Sequence, residues 1–184
     1  MTLDEFLGWD SGDPTGVPWQ LIDGGEPAAM VPGSAAHGEL RTELAALLGN
    51  RLLGRAPCRS VIGPGVVPRA LGAMNDRIPD LAVTCEPPTR DQMIHQPVLL
   101  VEILSPSNEV ETNANIWAFT TIPSVREILA IHSTRIAATL LRRGPDGNWP
   151  AGPIPLGSGD DLVLESVGMT VKLRACYRTT ILGT

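Results

Sequence analysis

Two carboxylic acids stand in apolar stretches where an ionised side chain needs a partner. Glu102 lies within the apolar run 98–104, and Asp80 follows Pro79 at the head of a second apolar run. A charge removed from water without a partner is costly, so such acids are normally paired, protonated or bound to a metal. Two short strands that each deliver one acid predict a site for a hard cation.

Another explanation exists for either acid taken alone. A glutamate in an apolar strand can point to the solvent side of a half-exposed sheet. This explanation is less convincing for two such acids on successive strands than for one acid alone. The prediction of a metal site therefore depends on Asp80 and Glu102 as a pair.

Composition limits the classes of protein to which the chain can belong. Its 184 residues are about the length of one domain, which we expect to span residues 1–184. The net charge of -6 and the pI near 5.0 argue against general affinity for phosphate backbones. Any contact with nucleic acid would therefore be local.

Cysteine and histidine usage favours an intracellular protein without zinc. The three cysteines are odd in number, far apart and without C-x-x-C spacing, and we expect them to be reduced and buried, as in a cytosolic protein: Cys58, Cys85 and Cys176. The three histidines are equally scattered: His37, His95 and His132. The chain starts without a basic segment followed by an apolar core, and no apolar run reaches membrane-spanning length. A cytoplasmic, soluble protein is predicted.

The first half of the chain predicts a hairpin and a long helix. Residues 19–22 and 27–30 flank the turn sequence Asp23-Gly24-Gly25. Ser34 precedes a stretch with leucines at helical spacing that ends near Gly54. On this helix His37 shares the inward face, whereas Glu39 and Glu43 fall on the outward face and are predicted to be solvated.

The remainder alternates strands with one further helix. Strands are expected over residues 59–67, at the Asp80 and Glu102 runs, over 125–131 and 135–141, and in the tail. Asn108 and Glu111 have capping-box spacing for a helix that must end before Pro123. The order predicts an α/β or α+β fold, with a mixed β-sheet flanked by helices, an N-terminal β-hairpin and additional β-strands.

Three ordered motifs make the chain similar to a known family. They read RIPD at residues 77–80, VEILSPS at 101–107 and IPSVRE at 122–127. In this order they resemble the bacterial Uma family, described as putative restriction endonucleases of the PD-(D/E)XK nuclease superfamily. The likeness extends from LDEFL at residues 3–7, through LIDG at 21–24, to Tyr177.

The resemblance implies a metal-dependent nuclease with a restriction-endonuclease-like fold. Asp80 and Glu102 match the positions of the family's ligands for Mg²⁺ or Mn²⁺, and Ile103 would offer a main-chain carbonyl. The metal would lower the pKa of an attacking water and neutralise charge on the phosphate. The implied partner is nucleic acid, preferentially DNA, and a homodimer is expected.

The chain departs from the family at its lysine. A literal E-x-K would place lysine at position 104, which is Leu104. The family usually takes its lysine from the following helix, where this chain has Glu111, Asn115 and Phe119 in place of aspartate, lysine and tyrosine. Asn115 can hydrogen-bond a water but supplies no positive charge.

Three hypotheses follow from this departure. In the first, an active nuclease uses Asn115 to orient water and Arg77 to supply the cation; its activity is weak, and Asn115→Lys raises it. In the second, a catalytically degenerate nuclease fold acts as a nucleic-acid-binding module. In the third, the acidic surface and exposed strand edges serve protein interaction without catalysis.

His37 and the scattered aromatic and basic residues have two explanations each. By the resemblance, His37 stands near the metal site as a positioning group or proton carrier; otherwise it is a core histidine bonded to a carbonyl. The four tryptophans are too dispersed in sequence for a base-stacking platform, and packing is the expected role. Arg142 and Arg143 could touch phosphate or simply form a charged hairpin end.

Overall fold

A computed structural model describes residues 1–30, 33–90, 93–106 and 109–183. Within them the helices are α1 (Leu3–Leu7), α2 (Ala35–Leu52) and α3 (Glu109–Phe119), with short 3-10 helices at Gly72–Met74 and Leu173–Tyr177. The strands are β1 (Trp19–Gln20), β2 (Ala28–Ala29), β3 (Arg59–Ile62), β4 (Gly65–Val66), β5 (Leu81–Thr84), β6 (Met93–Ile94), β7 (Pro97–Leu104), β8 (Glu127–His132), β9 (Ala137–Arg142), β10 (Ile154–Gly157), β11 (Asp161–Leu164) and β12 (Met169–Lys172).

A six-stranded mixed sheet forms the centre, in the order β10-β9-β8-β7-β5-β3. Strands β7 and β8 run parallel, and every other neighbouring pair in this sheet is antiparallel. Strand β7 is covered on both faces, which explains its nearly continuous apolar sequence. The predicted fold class is confirmed.

Two apolar cores cover the two faces of the sheet. Leucines of α2 pack on one face against alternate residues of β7, namely Leu99, Val101 and Ile103. Phe119 and Ile122 pack on the other face with Leu100. Because strand side chains alternate between faces, Glu102 shares the side of Leu100 and faces α3.

Helix α2 begins where the sequence predicted, because the Ser34 Oγ accepts a hydrogen bond from the His37 N–H at 3.3 Å. The prediction for Glu43 is wrong. This side chain is buried and accepts two hydrogen bonds from Arg178, at 3.0 and 3.1 Å, because the C-terminal segment covers this part of the helix. Glu39 is exposed, as predicted.

The structure also tests the predicted N-terminal hairpin and the strand predicted after helix α2. The hairpin is confirmed, with Trp19 opposite Ala29. The strand predicted over residues 59–67 is instead broken at Gly63, whose φ of 57° is the left-handed conformation, so that β4 leaves the main sheet and pairs with β6. The capping prediction for Asn108 lies outside the described residues.

The prediction of three reduced cysteines is wrong for two of them. Cys58 and Cys85 form a disulfide, because the antiparallel pairing of β3 with β5 places them opposite one another, just beyond the Arg59–Thr84 pair. Cys176 is free and buried, as predicted, and burial raises the pKa of its thiol to about 12. Within the described ranges, no helix has the length and apolarity to cross a bilayer.

Candidate active site

Asp80 lies directly before β5 and bonds in two directions. Its Oδ1 is 3.1 Å from the Nε2 of His37 on α2, and its Oδ2 accepts a 2.8 Å hydrogen bond from the N–H of Ile103 on β7. The buried carboxylate therefore joins a helix to the central strand at the point where the β5–β7 ladder ends. Each carboxylate oxygen keeps a further lone pair for another partner.

Ile103 contributes through its backbone, because its side chain is buried in the core. The N–H and C=O of one strand residue point to the same edge of the strand. Since the Ile103 N–H donates to Asp80, the Ile103 carbonyl faces the same edge as the aspartate. This places a main-chain oxygen on the same edge of β7 as the Asp80 carboxylate.

Glu102 is 4% exposed and accepts a 3.3 Å hydrogen bond from the Nδ2 of Asn115. Burial raises the pKa of Glu102 well above its ordinary value, and the negative charges of Asp80 and Glu111 raise this pKa further, against the Asn115 hydrogen bond. No arginine, lysine or histidine among the described residues forms an ion pair with Glu102. The two acids are thus electrostatically coupled.

Arg77 lies on the far side of Asn115. The residue is 3% exposed, and its guanidinium donates from Nη1 to the Asn115 Oδ1 at 2.9 Å. It also donates to the side chains of Asn75 at 3.1 Å and Asp23 at 3.2 Å. Because a guanidinium only donates, the oxygen of the Asn115 amide faces Arg77 and its nitrogen faces Glu102. One amide therefore separates a buried positive charge from a buried acid.

Helix α3 aligns the three positions compared with the family's acid, lysine and tyrosine. Glu111, Asn115 and Phe119 are four residues apart and share one side of the helix. Glu111 is exposed and accepts a hydrogen bond from the Nε2 of Gln20 in the hairpin, whereas Phe119 is buried in the apolar core. Only Asn115 of the three contacts a predicted metal ligand.

Two residues of the site were missed by sequence reasoning. Arg41 places its Nη1 3.9 Å from the Asp80 Oδ1, and its side chain is 40% exposed. Its position four residues after His37 on the same helix was the available signal. Gln20 had no comparable signal, because its partner Glu111 lies 91 residues away.

The donor set fits a hard cation better than zinc. Among the side chains that the structure describes, no three histidines, cysteines, aspartates or glutamates come together as a metal-binding group. Two acids with one carbonyl instead match Mg²⁺, which keeps several waters and uses few protein ligands. A divalent cation would also balance the charges of Asp80 and Glu102.

The remaining candidates have structural contacts. Arg142 pairs with Glu127 at 2.7 Å and with Glu165 at 2.9 Å. Arg143 donates to backbone carbonyls and lies 4.6 Å from the centre of the Trp149 ring. These contacts within the protein favour the explanation of a charged hairpin end over a phosphate contact for both arginines.

The tryptophans, by contrast, are less dispersed than their spacing indicated. The Trp9 and Trp19 rings lie 5.2 Å apart, edge to face, with Phe6 stacked on Trp9. Trp117 is exposed on α3. The structure therefore brings together two of the four indoles that the sequence separates.

The central mixed sheet flanked by helices matches the fold of a solved structure. The crystal structure of a protein from Anabaena variabilis ATCC 29413, described as a putative nuclease belonging to DUF820, has the same fold with a TM-score of 0.77. The two chains are 15% identical, and the match covers 96% of this chain and 97% of the other.

The family is shown by sequence. The model of the Uma2 family, described as putative restriction endonuclease, matches residues 3–174, and the chain belongs to this family. The uncharacterized protein slr1290 of Synechocystis sp. (strain ATCC 27184 / PCC 6803 / Kazusa) is 29% identical over 181 residues, which cover 97% of this chain and 92% of that protein. The resemblance found in the motifs is confirmed.

Proposed function

We propose that the protein is a metal-dependent nuclease that hydrolyses phosphodiester bonds of nucleic acid. Asp80, Glu102 and the Ile103 carbonyl are the proposed ligands of Mg²⁺ or Mn²⁺. The observation that carries the proposal is Glu102, a buried acid coupled to Asp80 and without an ion-pair partner among the described residues. Membership of the Uma2 family supports nuclease chemistry.

Asp80, Glu102 and the Ile103 carbonyl would hold the ion, which when bound would supply a water of lowered pKa and neutralise charge on the phosphate. Two residues of this chain, Asn115 and Arg77, take the roles that a single lysine has in the family. Asn115 donates to Glu102 and orients that carboxylate, and Arg77 supplies a fixed positive charge beyond the amide. Because the Arg77 charge acts through one intervening side chain, we expect slower turnover than a lysine in direct contact would give.

His37 and Arg41 act at the other acid. His37 contacts the Asp80 Oδ1 and is proposed as a positioning residue for this carboxylate. Arg41 is partly exposed beside the same oxygen, where a guanidinium can form charge-assisted hydrogen bonds with a substrate phosphate.

Charge-removing substitutions of the acids test the proposal. In Asp80→Asn and Glu102→Gln, the repulsion between two buried acids is relieved, so the metal-free protein should melt at the same or a higher temperature. Both variants should lose the stabilisation that Mn²⁺ gives the wild type. Thermal melts with and without Mn²⁺, and plasmid nicking, measure the two effects. Asp161→Asn, an exposed change of the same type, is the matched control.

The outcomes separate the hypotheses. Equal Mn²⁺-induced shifts in the wild type and both variants would show that these acids are not the ligands. Metal binding without nicking would favour the degenerate nucleic-acid-binding module. Absence of both metal and nucleic-acid binding would favour the protein-interaction module.

The proposal includes DNA as substrate, a homodimer, one domain over residues 1–184 and a cytoplasmic location. The family resemblance supports DNA and the homodimer, and chain length supports one domain. The cytoplasmic location rests on the sequence without the cysteine argument, because a disulfide such as Cys58–Cys85 is uncommon in the cytosol. Light scattering of the purified protein would measure its mass in solution. A mass equal to that of one chain would contradict the homodimer.

A further inference from the structure

A second cleft lies beside the segment that leads to Asp80. Its volume is about 390 Å³, within the range of small-molecule pockets. Side chains of successive extended residues point to opposite sides, so Asn75 and Arg77 face Asn115 while Asp76 and Ile78 line this cleft. The cleft is thus distinct from the proposed metal site and connected to it through one segment.

Asp76 supplies an acceptor without a partner. The residue is 6% exposed, and its buried Oδ1 has no hydrogen-bond partner among the described residues. The carboxylate lies against Gly65, where an added Cβ would come within 2.7 Å of the Oδ1. Burial raises the pKa of Asp76 to about 6, so the group is mostly ionised at neutral pH. A buried acceptor of this kind is costly unless a ligand satisfies it.

Aromatic rings form the rest of the cleft. Phe6, Trp9 and Trp19 line it together, and Trp9 is 37% exposed. The Nε1 of Trp19 is buried and has no hydrogen-bond partner in the described part of the chain. Ring surfaces therefore line the cleft, and one unpartnered acceptor and one unpartnered donor lie buried in its wall. A flat ligand that carries both kinds of group and reaches into this wall would match them.

We propose that this cleft binds an unstacked guanine base of single-stranded nucleic acid, an inference that rests on the proposed function. Base recognition outside a duplex combines stacking on aromatic side chains with hydrogen bonds to the Watson–Crick edge. Guanine bears adjacent N–H donors on N1 and N2, which match the two oxygens of the Asp76 carboxylate. Its O6 can accept from the Trp19 N–H.

The other bases fit this donor and acceptor pattern less well. Adenine and cytosine place an acceptor nitrogen beside their amino group, and that nitrogen would repel the second carboxylate oxygen of Asp76. Thymine and uracil flank their single N–H with two carbonyls. A carboxylate therefore selects guanine among the common bases.

Binding measurements in EDTA test the inference without cleavage. Fluorescein-labelled oligothymidine, with or without one central guanine, is titrated with the full chain, and fluorescence anisotropy is recorded. The wild type should bind the guanine-containing strand about tenfold to a hundredfold more tightly, the discrimination expected of one bidentate pair. Asp76→Asn should lose this preference, and Trp9→Ala should weaken the binding of both strands. Asp161→Asn, the same change on an exposed side chain, should behave as wild type.

Equal affinity of the wild type for both strands would overturn the inference, as would an Asp76→Asn variant that folds and retains the preference. Displacement of the oligonucleotide by N-acetylarginine amide, but not by guanosine monophosphate, would overturn it in favour of a guanidinium ligand. Mn²⁺-dependent nicking of plasmid is measured separately. Guanine preference without nicking would contradict only the nuclease proposal, and nicking without guanine preference would contradict only the guanine site.

Discussion

The side chain at position 115 lies between two groups with opposite requirements. Arg77 donates to the Asn115 oxygen, and Glu102 accepts from the Asn115 nitrogen. An amide satisfies both neighbours, whereas a lysine would satisfy only the acid. The buried arginine therefore provides a physical reason for asparagine at this position.

We predict that Asn115→Lys alone gains little activity. Its ammonium would pair with Glu102 but would also stand beside the buried Arg77 guanidinium, and like charges in a buried site repel. The double variant Arg77→Gln/Asn115→Lys removes this repulsion and should be both more active and more stable than Asn115→Lys. A double-mutant cycle should give a coupling energy of about 0.5–3 kcal/mol. Mn²⁺-dependent nicking and urea unfolding measure the two quantities.

The control pairs Asn115→Lys with Arg174→Gln, which makes the same change at an exposed arginine. That pair should show additive effects. Additivity for Arg77→Gln as well would mean that positions 77 and 115 do not interact. The sequence alone led to the simpler expectation that Asn115→Lys raises activity, because the contact with Arg77 spans 38 residues.

At the scale of elements, the site depends on the pairing of β5 with β7. Strand β7 carries Glu102, and the segment that enters β5 carries Asp80. Strand β3 pairs with the other side of β5, where the Cys58–Cys85 disulfide joins the ends of the two strands. The disulfide therefore stabilises one side of the sheet that positions Asp80.

We predict that reduction of this disulfide lowers the free energy of unfolding. A cross-link that closes a loop of 27 residues restricts the unfolded chain, and its removal typically costs about 2–4 kcal/mol. Urea unfolding with and without dithiothreitol measures the effect. The Cys58→Ser/Cys85→Ser variant should unfold at a lower urea concentration and should not respond to dithiothreitol.

Alkylation tests whether the cross-link forms. Denatured, unreduced protein should take up one equivalent of iodoacetamide, at Cys176, because the other two sulfurs are bonded to each other. Three equivalents would contradict the disulfide and would restore the interpretation of three reduced thiols.

At the scale of the whole molecule, Asp76 couples folding to pH. Burial raises its pKa from 3.8 to about 6 in the folded state. Between these two values the folded protein binds more protons than the unfolded chain, so the free energy of unfolding falls as the pH rises. The contribution of Asp76 to the free energy of unfolding is fully present below pH 3.8 and is lost as the pH rises through about 6. The loss is about 3 kcal/mol.

We predict that the free energy of unfolding of Asp76→Asn changes less between pH 4 and pH 7 than that of the wild type. The difference between the two changes should be roughly the loss attributed to Asp76. Glu102, whose pKa is also raised, is present in both proteins and cancels in the comparison. Urea unfolding across this pH range measures the difference. Asp161→Asn serves as the control, and a profile for Asp76→Asn that parallels the wild type would contradict the assignment.

Features that depend on local chemistry could be predicted from neighbouring residues. The Ser34 cap, the leucine spacing of α2, the turn at Asp23-Gly24 and the apolar run of β7 are properties of neighbouring residues, and each structure formed as expected. The two acids remain predicted ligands, which the sequence singles out because each stands alone in an apolar run. The family motifs are likewise short and contiguous, and the match to Uma2 confirmed them.

Contacts between distant segments could not be predicted in this way, because they depend on how the chain packs. Glu43 has the spacing of a solvated residue, yet Arg178, 135 positions later, covers it. The pairing of Cys58 with Cys85 depends on strand register, and the contact of Trp9 with Trp19 depends on how α1 meets the hairpin. Local propensity carries no information about such partners, because they are chosen by the packing of the whole chain.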